Sequence, residues 1–166
     1  MVLVLAMAQS VVSDGIILVA VVIAAATISQ VFLSSIGGLQ QGSIAMSEKL
    51  SDKMETEVVI LKAVNTSDTT VKVWIKNTGS SIIPSANIKE GDVLFGEFGN
   101  FDYQVYSESG AGWKFTILGG SDNNWQGSET IEISVTAASA FSKGDYYFSF
   151  ITHNGVKDEV IFTIGD

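Results

Sequence analysis

The chain opens with one long apolar stretch and continues with short segments in which apolar and polar residues alternate. Residues Ile16–Ile36 form a run of 21 residues without a charged side chain. As an α-helix, which rises 1.5 Å per residue, this run is about 31 Å long, close to the hydrocarbon thickness of a bilayer. A helix that is apolar all round needs an apolar environment all round. The pattern therefore predicts a helix that spans a membrane or packs against other copies of itself.

A cleaved secretory signal is the alternative for this segment. Such signals carry a basic region before a shorter apolar core and end in a small-residue cleavage site. The run here lacks the basic region, is too long, and is not followed by a convincing cleavage site. We therefore expect the helix to remain part of the working protein.

Along this helix, apolar residues recur at alternating spacings of four and three. Heptad spacing is typical of helices that associate side by side, although a helix rich in Leu and Ala also shows it by chance. The pattern predicts a seam for membrane or helix association made of Leu18, Val22, Ala25, Phe32, Ile36 and Leu39. The spacing continues past Ile36, so we expect the helix to continue too. A kink is expected near Gly37, because an interior glycine costs about 1 kcal/mol relative to alanine.

Beyond the charged stretch that ends near Met54, the period of the pattern changes from helical to two. We therefore divide the chain into residues 1–54, the helix with its charged exit, and residues 55–166, which we call the β-domain. The alternation predicts strands at Glu57–Val64, Thr70–Asn77, Asp92–Phe98, Tyr103–Ser107, Trp113–Leu118, Thr130–Thr136, Tyr146–His153 and Val156–Ile164.

Turn signals separate these strands. Asn154-Gly155 is the strongest of them and predicts a hairpin with a type I′ turn, in which both central residues have positive φ. Within the second strand, the alternation places Val71, Val73 and Ile75 on one face and Trp74 with its lysine neighbours on the other. Eight short strands in so short a segment predict a mainly β fold, an antiparallel immunoglobulin-like β-sandwich.

Charge is distributed very unevenly along the 166 residues. Asp14 is the only charged side chain before Glu48, and the whole chain has 9 basic residues, all lysine, and 18 acidic residues, for a formal charge of −9. Nucleic-acid binding draws on clustered Lys and Arg, so this balance excludes nucleic acid as a partner. The absence of cysteine excludes disulfides, Fe–S clusters and thiol nucleophiles.

No residue pattern points to catalysis, a metal or a cofactor. His153 is the single histidine and lies beside a turn without a motif around it. Asp122-Asn123-Asn124 lacks the ligand spacing of a calcium loop. Asp158 and Glu159 are adjacent and point to opposite faces of a strand, so we expect both to be solvated charges. The sequence therefore predicts a protein that is not an enzyme.

Two surface features suggest further contacts. Asn65-Thr66-Ser67 is a sequon in a predicted turn, which makes Asn65 a candidate N-glycosylation site if the domain faces outward. The aromatic residues of the β-domain could stack on sugars, although such residues more often pack in a core or at a sheet edge. A glycan-binding surface would use Trp74, Trp113, Trp125, Tyr103 and Tyr106.

The helix followed by strands that include Lys76-Asn77-Thr78-Gly79-Ser80, with Pro84 shortly after, resembles the archaellum accessory protein family called FlaG. Trp125, the segment Glu129–Ile133 and the closing Asn154–Glu159 extend the resemblance over most of the chain. The resemblance implies a structural role in archaeal motility. It implies a membrane-anchored protein whose immunoglobulin-like domain stands outside the cytoplasmic membrane and forms part of the static structure around the rotating archaellum.

The resemblance also implies partners. They are the archaellum protein F family, which shares the helix-plus-sandwich layout, and the surface layer. A filament subunit of archaellin or pilin type is the alternative, because archaellins have a similar helix and β-domain. Archaellins normally carry a short basic leader that is processed, and no Lys or Arg precedes Lys49 here, which disfavours this alternative unless the chain is already processed.

Overall fold

The computed structural model describes residues 2–120 and 122–165, with side chains from residue 12 onward, and divides into two compact units, Met1–Glu48 and Lys49–Asp166. Helix α1 extends from Val2 to Glu55. The predicted continuation beyond Ile36 is thus confirmed. The helix is not interrupted at Gly37, where an added Cβ would meet nothing within 4 Å, so packing does not require a glycine there. The kink itself stays a prediction.

The second unit is built mainly of strands. Its elements after α1 are β1 (Val58–Ser67), β2 (Thr70–Asn77), β3 (Ile83–Pro84), α2 (Ser85–Lys89), β4 (Asp92–Glu97), β5 (Asn100–Gln104), β6 (Gly112–Leu118), β7 (Asn124–Trp125), β8 (Thr130–Thr136), β9 (Gly144–Ile151) and β10 (Lys157–Ile164). The order β1-β2-β8-β6 forms the first sheet, β10-β9-β4-β5 forms the second sheet, and β3 pairs with β7. The pairs within both sheets are antiparallel. The predicted fold class is confirmed.

One hydrophobic core lies between the two sheets. In β2, Val71, Val73 and Ile75 are fully buried, while Trp74 on the opposite face is half-buried, as the alternation predicts. Trp113 of the first sheet packs edge-on against Phe150 of the second, with ring centroids 6.1 Å apart. Such interdigitation of inner faces is what stabilises a sandwich.

The fifth strand begins earlier than predicted. The turn at Gly99, with φ of 87°, lets β5 start at Asn100 and pair with β4. The chain then leaves the second sheet, and the Trp113 amide donates to the Val105 carbonyl at 2.9 Å. Alternation alone did not show this crossing, because it continues unchanged when a strand moves from one sheet to the other. The two-residue strands β3 and β7 and the short α2 were not predicted, because each is too short to show a period.

The predicted type I′ turn at Asn154-Gly155 is wrong. Only Gly155 has a positive φ, 82°, and the Thr152 amide donates to the Val156 carbonyl at 2.8 Å. The loop is therefore longer, with a left-handed glycine at its end. The side chain of Asn154 explains the difference, because its amide donates to the Thr56 hydroxyl at 2.8 Å. This long-range bond competes with the local turn preference.

Candidate functional site

Among the residues whose side chains the structure describes, most of the exposed large apolar side chains lie on α1. The most apolar part of the helix has a mean hydropathy of 2.6, and none of it is buried. By length and composition α1 can cross a membrane. Exposed large apolar surfaces of this extent mark contact with a partner or with lipid.

The six seam residues all lie on this uncovered surface. Their side chains are exposed by 43% at Ile36 and by 74% at Leu39, and the other four are exposed as well. In a straight helix a strict heptad pattern drifts by about 20° per repeat, so residues from Leu18 to Leu39 stay within one stripe. The structure thus places the predicted residues on one side of a continuous helix.

Hydroxyl groups within the apolar segment form hydrogen bonds inside the helix. The Ser29 hydroxyl donates to the Ala25 carbonyl at 2.8 Å, and the Ser35 hydroxyl donates to the Val31 carbonyl at 2.9 Å. Thr27 does the same with the carbonyl of Ile23. Because these polar groups are satisfied within the helix, they do not oppose an apolar surrounding.

At the end of α1, the β9–β10 loop holds the last helical turn. The Asn154 amide donates to the Asp52 carboxylate at 3.2 Å as well as to Thr56, whose hydroxyl in turn donates to the Asp52 carbonyl at 2.8 Å. His153 lies in the same loop, with Nε2 4.0 Å from the Asp52 carboxylate and a side chain that is 20% exposed. No sequence signal indicated this contact, because the partners are about 100 positions apart.

The Lys-Asn-Thr-Gly-Ser segment, the most specific part of the family resemblance, is structural. Asn77 is fully buried; its amide donates to the carbonyls of Ser81 at 2.8 Å and Trp125 at 3.3 Å, and its Oδ1 accepts from the Gly79 amide at 3.0 Å. A Cβ on Gly79 would lie 2.3 Å from the carbonyl oxygen of Glu55. The motif therefore fixes a close approach between main-chain segments.

The aromatic residues do not form a sugar-stacking platform. Trp113 and Trp125 are both fully buried, and the indole N–H of Trp125 donates to the Glu129 carbonyl at 2.9 Å. Tyr106 packs edge-on against Trp113. Only Tyr103, 55% exposed, presents most of its ring to solvent, while Trp74 is half-buried. The predicted glycan surface loses two of its three tryptophans to the core.

Asp158 is not the solvated charge that the sequence suggested. Its carboxylate accepts a hydrogen bond of 2.7 Å from the Ile60 amide, at the point where a bulge interrupts the pairing of β1 with β2. The bond joins β10 of the second sheet to β1 of the first. Asn65, the candidate glycosylation site, is exposed near the end of β1, so the predicted turn begins later than expected.

A family model for archaeal-type flagellins matches residues 8–162. The chain belongs to the archaeal-type flagellin family. An uncharacterized protein of Archaeoglobus fulgidus is 29% identical over 163 residues, which cover 95% of this chain and 99% of the relative. The matched residues include both the apolar helix and almost all of the β-domain.

Two solved structures from Sulfolobus acidocaldarius are similar to this flagellin-family chain. The archaellum periplasmic stator protein FlaG is 27% identical, with a TM-score of 0.56, covering 64% of this chain and 99% of that one. The complex of FlaF and FlaG contains a chain that is 28% identical, with a TM-score of 0.55, covering 64% of this chain and 89% of that one. The resemblance to FlaG is confirmed, and the protein is a structural component of the archaellum.

Proposed function

We propose that this protein is a non-enzymatic, membrane-anchored envelope component of the archaellum, of the stator type. Residues 1–54 anchor the protein in the membrane and associate with the helices of other copies. Residues 55–166 form the domain that binds partners outside the cytoplasmic membrane. The observation that carries the proposal is the continuous helix whose most apolar described part is not buried, followed by a β-domain similar to a periplasmic stator protein.

The proposed partners are a member of the archaellum protein F family and, through it, the surface layer. The solved complex of FlaF with FlaG, a chain similar to this one, supports the first. Asn65 is exposed and is the proposed glycosylation site on the outward-facing domain. Protease applied to intact cells should remove the β-domain, and complete protection of that domain would overturn the proposed orientation.

The association step of the proposal depends on the helix seam. Ala25→Asp places an ionised group at a seam position, where insertion scales assign a cost of about 2.5–3.5 kcal/mol at a helix centre. We expect it to abolish assembly or membrane retention. Ala20→Asp is the matched control, because residue 20 lies about 140° from residue 25 around the helix axis.

The pair of variants distinguishes the two parts of the proposal. Loss with Ala25→Asp alone supports a specific seam. Loss with both supports an apolar environment all round the helix and rejects the seam. Full assembly and retention of both variants would overturn the anchoring role of the helix. Chelation by EDTA should have no effect in the parent chain, because the proposed association does not use a metal.

A filament subunit of archaellin type is the second candidate. The match of the flagellin family model to residues 8–162 favours it, because this match includes the helix that such filaments bury. Electron microscopy of the full-length protein after detergent removal separates the candidates. Extended filaments with the helices in a central core would support the subunit, and discrete membrane particles would support the anchored component.

A further inference from the structure

The charged residues of the β-domain are sorted between its two sheets. The strands of the first sheet carry four lysines and one glutamate, a formal charge of +3 in a chain of total charge −9. All five side chains lie on the outward face of this sheet, because each alternates with buried residues or pairs in register with an outward-facing residue. They are Lys62, Lys72, Lys76, Lys114 and Glu132. The outer face of the first sheet, which we call the basic face, is thus opposite in sign to the molecule as a whole.

Most of this positive charge is not neutralised within the domain. Lys72 forms an ion pair with Glu132, with Nζ 2.7 Å from the carboxylate oxygen. Among the described residues, no carboxylate lies within 4.0 Å of the other three lysines. Three unpaired cations therefore share one sheet face, where their mutual repulsion is relieved by an acidic partner.

The second sheet carries the opposite charge. Its strands contain six acidic residues and one lysine, a formal charge of −5. Asp92, Asp145 and Glu159 point outward, and the lysine, Lys157, is paired with Glu159 at 3.0 Å. No lysine or histidine nitrogen among the described residues lies within 4.0 Å of Asp92 or Asp145. We call this outer surface the acidic face.

Both faces also expose apolar side chains between their charges. On the acidic face, the rings of Phe101 and Tyr147 pack at a tilt of 31° with centroids 4.4 Å apart, and Ile161 is 53% exposed. On the basic face, half-buried Trp74 lies in register with Lys62, and Leu118 is 39% exposed. Aromatic and aliphatic groups inside a charged surround are typical of the anatomy of protein interfaces.

We propose that the basic face of one copy binds the acidic face of a second copy, so that β-domains stack head to tail. Charge complementarity favours a second copy as the binding partner, because every copy carries both a basic and an acidic face, whereas two like faces repel each other. The contact is heterologous, so each bound pair leaves one basic and one acidic face free for further copies. Exposed ion pairs contribute little each, so the contact is weak and sensitive to ionic strength.

Charge exchange tests the proposal on the full chain in detergent micelles. Lys76→Glu with Lys114→Glu makes both faces acidic, and Asp92→Lys with Asp145→Lys makes both faces basic. Each double variant alone should associate about tenfold or more weakly than the parent chain in sedimentation measurements. An equimolar mixture should recover the association, because the reversed faces match again. The helix is identical in all samples, so the differences report on the faces alone.

Cross-linking provides a second measurement, because the chain has no cysteine. Ser134→Cys on the basic face and Thr163→Cys on the acidic face should form mixed disulfides between copies, and neither should cross-link with itself. Equal self-cross-linking, or a mixture of charge variants that associates no better than either alone, would overturn the stacking. That result would leave the anchoring role intact, because the latter is tested by membrane retention of the Ala25→Asp and Ala20→Asp variants.

Discussion

Asn77→Ala should destabilise the β-domain more than any exposed asparagine substitution. The side chain is fully buried and makes three hydrogen bonds to main-chain groups of three different residues. The alanine methyl cannot replace any of them. The substitution also leaves space next to the main chain of Trp125, whose carbonyl is one of the acceptors.

The expected loss follows from the bonds themselves. A typical intramolecular hydrogen bond contributes about 0.5–1.5 kcal/mol net, and a buried group left without a partner costs about 1–3 kcal/mol. The 3.3 Å bond to Trp125 is long and counts for least. We therefore expect the free energy of unfolding to fall by about 2–4 kcal/mol. For a domain of this size the melting temperature should fall by roughly 8–16 °C.

Tryptophan fluorescence during urea unfolding of the full chain in detergent measures this loss, because Trp113 and Trp125 are buried in the folded domain. Asn100→Ala is the matched control, since Asn100 is exposed on the edge strand β5 and should change stability by less than about 0.5 kcal/mol. A loss below about 1 kcal/mol for Asn77→Ala would refute the reasoning, because the motif would then hold the fold by something other than its buried hydrogen bonds.

Three further outcomes are expected. Asp158→Ala should lower the free energy of unfolding by about 1–2 kcal/mol in urea titrations, because the Ile60 amide loses its acceptor, and Asp158→Asn should recover part of it. Gly79→Ala should cost about 1–3 kcal/mol by the same measurement, since its Cβ would overlap the Glu55 carbonyl, while Ser80→Ala should be nearly neutral. Hydrogen bonds from Lys89 and Lys157 hold the pKa values of the Glu108 and Glu159 carboxyls below their ordinary value of 4.5. Their small contribution to stability is present above that pH and is lost as the pH falls through the lowered values, so Glu108→Gln with Glu159→Gln should flatten the acid limb of a stability–pH curve.

Local patterns in the sequence were sufficient for the architecture. The alternation in β2 assigned Val71, Val73 and Ile75 to the core because one face of an antiparallel strand is buried and the other is not. The continuous helix followed from the apolar run and its seam. Element ends were less predictable, as β5 shows, because a strand that changes sheets keeps its alternation while its partners change.

Contacts between distant residues were beyond these patterns. Asp158 and Glu159 are equivalent in sequence, yet one accepts a hydrogen bond from the Ile60 amide across the sandwich and the other bonds to Tyr147 within its own sheet. The type I′ turn at Asn154 was predicted from local turn preference. In the structure, the Asn154 side chain donates to the Thr56 hydroxyl, and the loop has a different conformation. In both cases the partner lies 98 positions away in the sequence, so no local pattern could indicate the hydrogen bond.

The sorting of charge between the two sheets can orient neighbouring domains, which the apolar helix alone cannot do. An apolar helix is indifferent to which neighbour it meets, because lipid and the helix of another copy both present hydrocarbon, and its hydroxyls are already satisfied internally. A helix anchor by itself places no demand on the charges of the β-domain. The basic face and the acidic face are therefore best explained by contacts that the domain makes. These contacts have a direction because the two faces differ in the sign of their charge. In the combination that we propose, the helix concentrates copies in an apolar phase, and the faces set the order and orientation in which their domains meet.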